Sequence, residues 1–413
     1  MPTKTKRGPT HSATRGTVLP RNRNVALAEL RNLKMAKSAH AFVRGSTTKF
    51  YEWLEEISPS TLPAGPAIWI CGDCHVGNIG PVGDTAGRVA IQVRDMDQTV
   101  IGNPAHDLIR LGVSLATAAR GSDLPGVVTA QMVEALMAGY MAALKAGPTH
   151  RLPPKPPAAK TAMKAATRRT WKQLASDRIE DAKPTIPLGK RFWPLRKAER
   201  DALEALCRET TLPLLVTRLY SREPADQIEL MDAAYWVKGC SSLGRLRYAA
   251  LLAVGTGKNR HYCLLDFKEA AAPAAPRQPQ TNMPRDNGER VVAGATHLAP
   301  FLGTRMAALR VLDTSVFVRE LLPQDLKLEI DTLPQAEATE VARYLGAVVG
   351  VAHGGQLSRN DAGVWRRELQ RRHGKSIDAP FWLWTSIVDL VGRHERQYLD
   401  HCRRWALGHS TTT

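Results

Sequence analysis

A stretch rich in Pro, Lys and Ala, residues 148–170, constrains the fold of this chain more than any other feature. Its centre, PPKPP at residues 153–157, is typical of an exposed linker. Regular apolar patterns lie on both sides of it. Because a chain of 413 residues also exceeds the length at which one hydrophobic core usually keeps growing, we predict two lobes joined at this stretch.

Helical and strand patterns occur on both sides of the linker. Ahead of it, two apolar runs at 67–70 and 88–93 predict a hairpin or two neighbouring strands that flank a loop, and three segments have helical spacing: 25–57, 105–120 and 127–145. Beyond it, strand-length runs occupy residues 234–237, 247–254, 262–267 and 316–321, and helical patterns occupy residues 332–355 and 380–407. This mixture predicts an α+β fold with a helical C-terminal region.

The positive charge of the chain is concentrated in two segments. Lys and Arg number 57 against 39 Asp and Glu, which gives a formal net charge of +18. Residues 1–24 hold six cations and no acid, and residues 151–200 carry a net charge of +10. Because Trp171, Phe192 and Trp193 are interleaved with the cations of the second segment, nucleic acid is an alternative partner.

Composition excludes several other classes of protein. Hydrophobic residues at 43% and charged residues at 23% are ordinary globular values, so the chain is not wholly disordered. No apolar run reaches the roughly 18 residues of a membrane-spanning helix, and the N-terminus lacks the apolar segment of a secretory signal. The six cysteines are sparse for a disulfide framework. We therefore expect a cytoplasmic protein without a membrane partner.

Three polar clusters carry most of the candidate chemistry. They are CGDCHVGN at residues 71–78, RDMD at 94–97 and GNPAHDL at 102–108. The first two follow strand-length runs, and loops at strand ends often carry functional side chains. Mg²⁺ takes few ligands from protein and prefers carboxylate and amide oxygens, so a metal–phosphate site is expected here. A further Asp could position an attacking hydroxyl and accept its proton.

Residues 71–78 allow four other interpretations. CxxCH matches the haem c attachment pattern, but that chemistry normally accompanies export, and no export signal is visible. The two Cys could form a redox or zinc site, although no second pair at matching spacing exists. GDxH also opens the signature of calcineurin-like metallophosphoesterases, whose downstream motifs are missing. Finally, Asp73 and Asn78 could cap turns while Asp107 begins a helix.

The three clusters together resemble the catalytic segment of aminoglycoside phosphotransferases and related small-molecule kinases. That segment reads HGDxHxxN, then IDxx, then GDPAxDL; here Cys71 replaces the first His. The resemblance implies that Asp73 is the catalytic base, with His75 in the same loop. It also implies metal ligands for Mg²⁺ and a residue that supports the loop. These are Asn78 and Asp95 as ligands, Asp97 as a helper, and Asp107 as the support.

A glycine-rich segment, GCSSLG at 239–244, resembles the loop that covers the phosphates in kinases. It lies between two strand-like runs, as a kinase loop does, with glycines at the first and last positions of GxGxxG. Ser241 stands at the middle glycine position. A hairpin turn is the simpler interpretation of such a segment. The resemblance implies ATP contacts from Gly239, Ser241, Ser242 and Gly244.

Lys268 stands at the end of the next strand-like run, 24 residues after Gly244. In kinases a Lys at this place binds the α and β phosphates, whereas most lysines simply lie on the surface. Glu289, which opens a helical segment, is the candidate ion-pair partner of Lys268. Glu269 and Glu320 are alternatives for that role.

The kinase-like elements occur in swapped order. In ordinary small-molecule kinases, a helix that resembles residues 341–353 comes just before the catalytic loop. In this chain the catalytic loop stands at residue 73, ahead of the phosphate-covering loop. A circular permutation explains this order, with the break between that helix and the catalytic loop. The resemblance therefore implies a protein-kinase-like fold of two lobes in permuted order.

The chain as a whole resembles the bacterial domain-of-unknown-function family 2252. The resemblance rests on residues 40–45, 72–78, 95–97, 239–244, 267–270 and 288–294. The family commonly has GVGSVG at the glycine-rich segment, so Cys240 and Ser241 depart from it. Arg44, which precedes Gly45 in the first of these segments, is expected either to bind an anion of the site or to form a buried ion pair.

We therefore expect an Mg-ATP-dependent phosphotransferase that acts on a small-molecule acceptor. A pseudokinase or a nucleotidyl transferase with the same ATP site is one alternative, and a nucleic-acid-binding protein is another. The expected organisation has five parts. They are a basic tail (1–24), a kinase C-lobe-like segment (25–147), a linker with a basic helical insertion (148–228), an N-lobe-like nucleotide-binding segment (229–330) and a helical completion of the C-lobe (331–413).

Overall fold

The structure, a computed structural model, describes residues 16–146, 152–176, 185–219, 221–239, 243–257, 260–326, 334–370 and 379–405. Ser241 and Ser242 of the glycine-rich segment lie outside these ranges, as do residues 1–15 of the basic tail. The described part is a mixed α and β protein whose C-terminal region is helical. The coarse fold class predicted from the sequence is therefore confirmed.

The helices of the described residues are numbered α1 to α14 in chain order. They are Arg23–Ala36, Ala39–Gly45, Thr47–Glu56, Ala105–Gly121, Gly126–Ala146, Pro157–Arg168, Trp171–Ser176, Lys197–Leu206, Thr211–Val216, Asn287–Leu298, Pro300–Gly303, Gln335–Gly354, Arg359–Gln370 and Phe381–Trp405. The strands β1 to β10 are Ile68–Ile70, Ile79–Gly83, Val89–Val93, Val100–Gly102, Phe192–Trp193, Ile228–Trp236, Arg247–Val254, His261–Glu269, Met306–Val311 and Thr314–Glu320.

The largest sheet is antiparallel, in the order β5-β6-β7-β8-β10-β9. Every residue of strand β7 is buried because both faces of the sheet are covered. This explains the continuous apolar run in its sequence, since a strand with one buried face would alternate apolar and polar residues. On one face, side chains such as Tyr248 and Phe267 pack against helices α8 and α9. On the other face, Leu251 and Leu264 pack against Leu174 and Ile186.

A helical core packs beside this sheet around α4, α5, α12 and α14. Helices α5 and α12 approach closely because Gly346 has no Cβ. A Cβ at that position would clash with the carbonyl oxygen of Leu136. In α5, residues Gly126–Lys145 are long and apolar enough to cross a membrane, but 56% of that apolar window is buried inside the protein. This burial is typical of a core helix, and one such helix is weak evidence for a membrane protein.

Two small sheets frame the loops of the predicted catalytic segment. The runs at 67–70 and 88–93 form strands β1 and β3, as predicted, but these strands do not pair with each other. Instead β1 pairs with β4 and β3 pairs with β2, and neither partner strand has a clear apolar pattern of its own. The predicted pairing is therefore wrong, because neighbours in the sheet are chosen by tertiary contacts and not by order along the chain.

The linker prediction is also wrong over part of its length. Residues Pro157–Arg168 form α6, whose Ala159 and Ala166 are buried against the helical core and its small sheets. In the predicted basic tail, Arg23 is buried and donates to the Glu199 carboxylate at 2.8 Å. Residues Pro157–Arg168 and Arg23 therefore belong to the folded body, where small or paired side chains let them be buried.

Two of the three aromatic side chains of the basic segment are not arranged for stacking on bases. Phe192 and Trp193 form β5 at the edge of the large sheet and are almost completely buried. Trp171 packs against the core cluster on the same sheet. The stacking role predicted for the first two side chains is therefore wrong for this conformation.

Candidate functional site

A cavity of about 260 Å³ brings together residues of the clusters at 71–78 and 94–97, the glycine-rich segment and the strand of Lys268, while the cluster at 102–108 does not line it. Six of the site residues predicted from sequence line it: Asp73, His75, Asn78, Asp95, Gly239 and Lys268. The first four belong to loops beside the small sheets, and the last two belong to the large sheet and its glycine-rich connection. Because between 144 and 195 residues separate the members of these two groups along the chain, only the tertiary fold can place them on one cavity.

Asp107 holds the loop that carries Asp73. Its carboxylate accepts the backbone N–H groups of Cys71 at 2.7 Å and Gly72 at 2.9 Å, and its side chain is completely buried. These are charge-assisted hydrogen bonds, which are about twice as strong as neutral ones. The predicted supporting role of Asp107 is therefore confirmed.

A chain of buried hydrogen bonds connects Asp107 to the C-terminal helices. Trp365 Nε1 donates to the Tyr140 hydroxyl at 3.0 Å, and that hydroxyl lies 3.0 Å from His353 Nδ1. His353 Nε2 lies 3.2 Å from the Asp107 carboxylate. All three hydrogen bonds are satisfied if His353 accepts from the Tyr140 hydroxyl at Nδ1 and donates from Nε2 to Asp107. The end of α12 is thereby tied to the loop around Asp73.

Asp73 is fixed by a cation that the sequence did not reveal. Arg110, on the buried face of α4, forms an ion pair with the Asp73 carboxylate. Asn78 adds a hydrogen bond from its side-chain amide to the Asp73 backbone oxygen at 3.0 Å. An Arg inside an apolar helix was the available signal for this pair, since buried charges are nearly always paired.

Lys268 makes its ion pairs with the two carboxylates of the RDMD cluster. Its ammonium lies 3.3 Å from Asp95 Oδ1 and contacts Asp97 Oδ2. The Asp97 side chain is only 12% exposed and lies behind the cavity, whereas that of Asp95 is 45% exposed and lines it. Lys268 therefore couples β8 of the large sheet to the loop of residues 94–99.

The environment drives the two carboxylates in opposite directions. Burial alone would raise the pKa of Asp95, but Lys268 and the neighbouring arginines outweigh burial and hold that pKa well below its usual range. Burial, together with the negative charge of Asp95, raises the pKa of Asp97. The pair thus keeps one strongly ionised carboxylate on the cavity wall.

The residues present fit an Mg²⁺ site of the kind that needs few protein ligands. Asp97 Oδ1 is buried and accepts no hydrogen bond, which leaves one carboxylate oxygen unused beside Asp95. In the described residues no group of three or more His, Cys, Asp and Glu could hold a metal. Asn78 and Asp95 offer oxygen ligands on the cavity, and Mg²⁺ commonly completes its shell with phosphate oxygens and water.

The glycine-rich segment borders the same cavity. Gly239 lines it, and both Gly239 and Gly244 have positive φ angles, 106° and 101°, that side chains with a Cβ rarely adopt. Lys34, from α1, donates to the Gly239 carbonyl oxygen at 2.6 Å. Gly244 does not line the cavity in this conformation, and the structure does not describe Ser241 and Ser242.

Glu289 is not brought to Lys268. It is exposed in the first turn of α10, where its backbone N–H donates to Asp286, and in the described structure Lys268 is paired with the two aspartates instead. The alternative Glu320 forms a buried bidentate pair with Arg222, with both oxygens at 2.7 Å. Charge and spacing alone could not choose among these acids.

Positive charge dominates the cavity wall. Seven cations line it against two carboxylates: Lys34, Arg44, Arg94, Lys238, Arg247, Lys268 and Arg319. Most are held by neighbours. For example, Arg247 makes a bidentate pair with Asp266 at 2.5 and 2.8 Å, and Arg94 Nη2 donates to the Asp325 backbone oxygen at 3.3 Å. A preformed cationic wall of this kind suits an anionic ligand.

Arg290 joins α10 to the loop of residues 94–99, a role that no sequence motif indicated. Its guanidinium is fully buried and donates to the backbone oxygens of Asp97 at 3.1 Å and Ala271 at 2.9 Å, as well as to that of Thr99. Burial lowers the pKa of Arg290 to about 10. The position of α10 and that of the Asp97 backbone are therefore linked.

A second, larger cleft of about 770 Å³ is lined by residues next in sequence to the site residues. They include Gly45, Gln98 and Arg245, and the wall also carries aromatic side chains such as Phe42 and Trp405. The Gln98 side chain accepts the backbone N–H of Ala274 at 2.7 Å and so fixes one edge of this cleft.

The fold and the cavity together define a mixed α and β protein with a preformed, cation-rich cavity that contains ionised carboxylate and amide groups. A family model, DUF2252, described as an uncharacterized protein conserved in bacteria, matches residues 23–404. The chain therefore belongs to this family, as its sequence motifs predicted. Comparisons with curated proteins and with solved structures gave no match.

Proposed function

We propose that the protein is a kinase-like, Mg-ATP-dependent phosphotransferase with circularly permuted order. The observation that carries the proposal is the cavity lined by Asp73, Asn78, Asp95 and Lys268. These are the residue types and roles that protein kinases assemble: an acceptor-positioning Asp, two metal ligands and a phosphate-binding Lys. The permutation accounts for the order in which the chain supplies them.

The order of elements in the large sheet supports a kinase-like N-lobe. The glycine-rich segment connects its strands β6 and β7, and Lys268 lies on β8, the third strand from β6. Protein kinases place their phosphate-covering loop and their third-strand Lys in the same succession, followed by a helix. Here α10 is that helix, and Arg290 gives it contact with the metal-binding loop, whereas Glu289 does not pair with Lys268.

Contacts between the end of α12 and strand β1 support the proposed permutation. In ordinary order α12 would run directly into the strand before the catalytic loop. Gln356, just after α12, makes hydrogen bonds with both the backbone N–H and the carbonyl of Trp69 in β1, at 2.9 and 3.0 Å. His353 approaches the support residue Asp107 from the same helix. The two ends that a permutation would have separated are therefore adjacent.

The proposed mechanism assigns each group a separate task. Asp73, held by Arg110, orients the acceptor hydroxyl or amine and takes up its proton, while the acceptor atom forms a bond to the terminal phosphorus and the bond to the ADP oxygen breaks. Lys268 binds phosphate oxygens from the opposite wall. Mg²⁺, held by Asn78 and Asp95 with Asp97 nearby, would neutralise charge on the phosphates.

A thermal-shift measurement tests the nucleotide site. Mg-ATP at about 100 times its dissociation constant stabilises a folded protein by roughly 2.7 kcal/mol. We expect a clear rise in Tm for the wild type and a much smaller one for Asp95→Asn. Asp201→Asn, an exposed change on α8 away from the cavity lining, is the matched control and should keep the full shift. Absence of any shift in the wild type would refute the proposal.

Product analysis separates the alternatives that use the same site. ADP with a phosphorylated acceptor supports phosphoryl transfer, whereas AMP with pyrophosphate indicates nucleotidyl transfer. Binding without turnover of any acceptor would indicate a pseudokinase. The nucleic-acid alternative predicts binding that weakens steeply with salt.

A further inference from the structure

Arg44 is a cation of the cavity to which the proposed mechanism gives no task. It lies in the last turn of α2 and is half-buried on the wall shared with Asp73 and Asn78. Among the described residues it has no hydrogen bond, ion pair or ring contact, whereas Lys268 and Arg247 on the facing wall are each paired with aspartates. Charged groups that are removed from water are normally paired, so a half-buried guanidinium on a cavity wall suits an anionic ligand.

The catalytic loop leaves space for this side chain. A Cβ built on Gly77 would lie 3.1 Å from the Arg44 Cζ, 3.2 Å from Nη2 and 3.3 Å from Nε. These three atoms define the guanidinium plane, so Arg44 lies flat over the Gly77 backbone. Its position is therefore fixed by packing against the loop and not by an acidic neighbour.

The carboxylates of the cavity do not supply the missing partner. Asp73 is neutralised by Arg110, and Asp95 lies beside Lys268. The ligand must therefore bring the negative charge. A planar guanidinium binds phosphate with two parallel hydrogen bonds, which makes a phosphoryl group a suitable partner for Arg44.

We propose that Arg44 binds the terminal phosphate of the nucleotide, the group that is transferred. This inference rests on the proposed nucleotide site. Gly77 directly precedes Asn78, a proposed ligand of the metal that bridges the β and γ phosphates in kinases. Lys268 stands on the sheet side, where a kinase Lys binds the α and β phosphates. Arg44, on the catalytic-loop side, therefore faces the terminal phosphate and stabilises its negative charge.

Equilibrium binding of two nucleotides tests this assignment. Titration calorimetry with Mg²⁺ and the non-hydrolysable ATP analogue AMP-PNP, and separately with Mg-ADP, compares ligands that differ in the terminal phosphate. For Arg44→Gln we expect the affinity for AMP-PNP to fall at least tenfold, which corresponds to about 1.4 kcal/mol. The affinity for ADP, which lacks the terminal phosphate, should stay within about twofold. Arg44→Lys should recover part of the loss.

Controls distinguish the possible failures. Arg218→Gln, an exposed change just after α9 and away from the cavity lining, should leave both affinities unchanged. Equal losses for both nucleotides in Arg44→Gln, or no loss for either, would overturn the assignment while leaving the nucleotide site intact. If wild-type protein binds neither nucleotide, the proposed function fails and the role of Arg44 fails with it. Should Arg44→Gln not fold, Arg44→Lys decides by the same comparison.

Discussion

Replacement of Asp107 by Asn tests the link between the C-terminal helices and the catalytic loop. The Asp107 carboxylate accepts two backbone N–H groups and faces His353 Nε2 at 3.2 Å, in a place without solvent. Asn keeps one acceptor oxygen and replaces the other by a donor. At least one of the N–H groups of Cys71 and Gly72 would then lose its partner.

The cost follows from the kind of bond that is lost. Hydrogen bonds to charged groups contribute about 1.5–3 kcal/mol each, and a buried unsatisfied donor adds a desolvation penalty. We expect Asp107→Asn to lower the free energy of unfolding by about 2–4 kcal/mol. At roughly 2.1 cal/mol/K per residue, the entropy of unfolding of this chain is about 0.9 kcal/mol/K, so its Tm should fall by about 2–5 °C.

Calorimetry of the wild type, Asp107→Asn and the surface control Asp201→Asn measures this effect. The control should stay within about 0.5 kcal/mol of the wild type. Asp107→Asn should also reduce the Tm shift produced by Mg-ATP, because the loop that carries Asp73 loses its anchor. A variant as stable as the control would show that Asp107 does not hold the loop.

Two further changes probe charge burial. His394 is buried near Arg110, and burial, with the charge of Arg110, lowers the pKa of His394 to about 4. Protonation of His394 therefore favours the unfolded chain, in which the pKa is near 6.5. The stabilisation that neutral His394 provides near pH 7 falls by about 2 kcal/mol at about pH 5. Unfolding of the wild type and His394→Gln at pH 7 and pH 5 should show the stability advantage of the wild type shrinking by that amount, and a pH-independent difference would contradict it. Lys268→Met should abolish the Mg-ATP shift and also lower the Tm of the free protein, because Asp97 loses its buried cation; unchanged nucleotide binding would exclude Lys268 from the site.

Local patterns predicted the long elements well. Helices α4 and α5 begin and end within a residue or so of their apolar periodicity, and β7 has the predicted bounds. Short or partly polar elements were missed: β2 and β4 hold few apolar residues, and α6 lies in a Pro-rich stretch. The signal fails there because such elements are stabilised by contacts with the rest of the fold and not by their own sequence.

The motifs also predicted which side chains gather at the cavity. Six of the residues selected from sequence line it, although they come from segments far apart in the chain. The partners of these residues were not predictable. The sequence offered several acidic residues as partners of Lys268 and no means of choosing among them. Arg110 was visible only as a charged residue in an apolar helix.

The sequence by itself determined the class of elements, the uneven distribution of charge and the loops that carry the candidate chemistry, because periodicity and residue type are local properties. Only the tertiary structure decided that β1 pairs with β4, that Lys268 pairs with Asp97 and Asp95, and that Arg44 forms no ion pair with any of the described residues. Ion pairs and strand pairs are set by distances between segments remote in sequence. Burial then decides which charges must be paired. A local sequence pattern contains neither the distances between remote segments nor the burial of a charge.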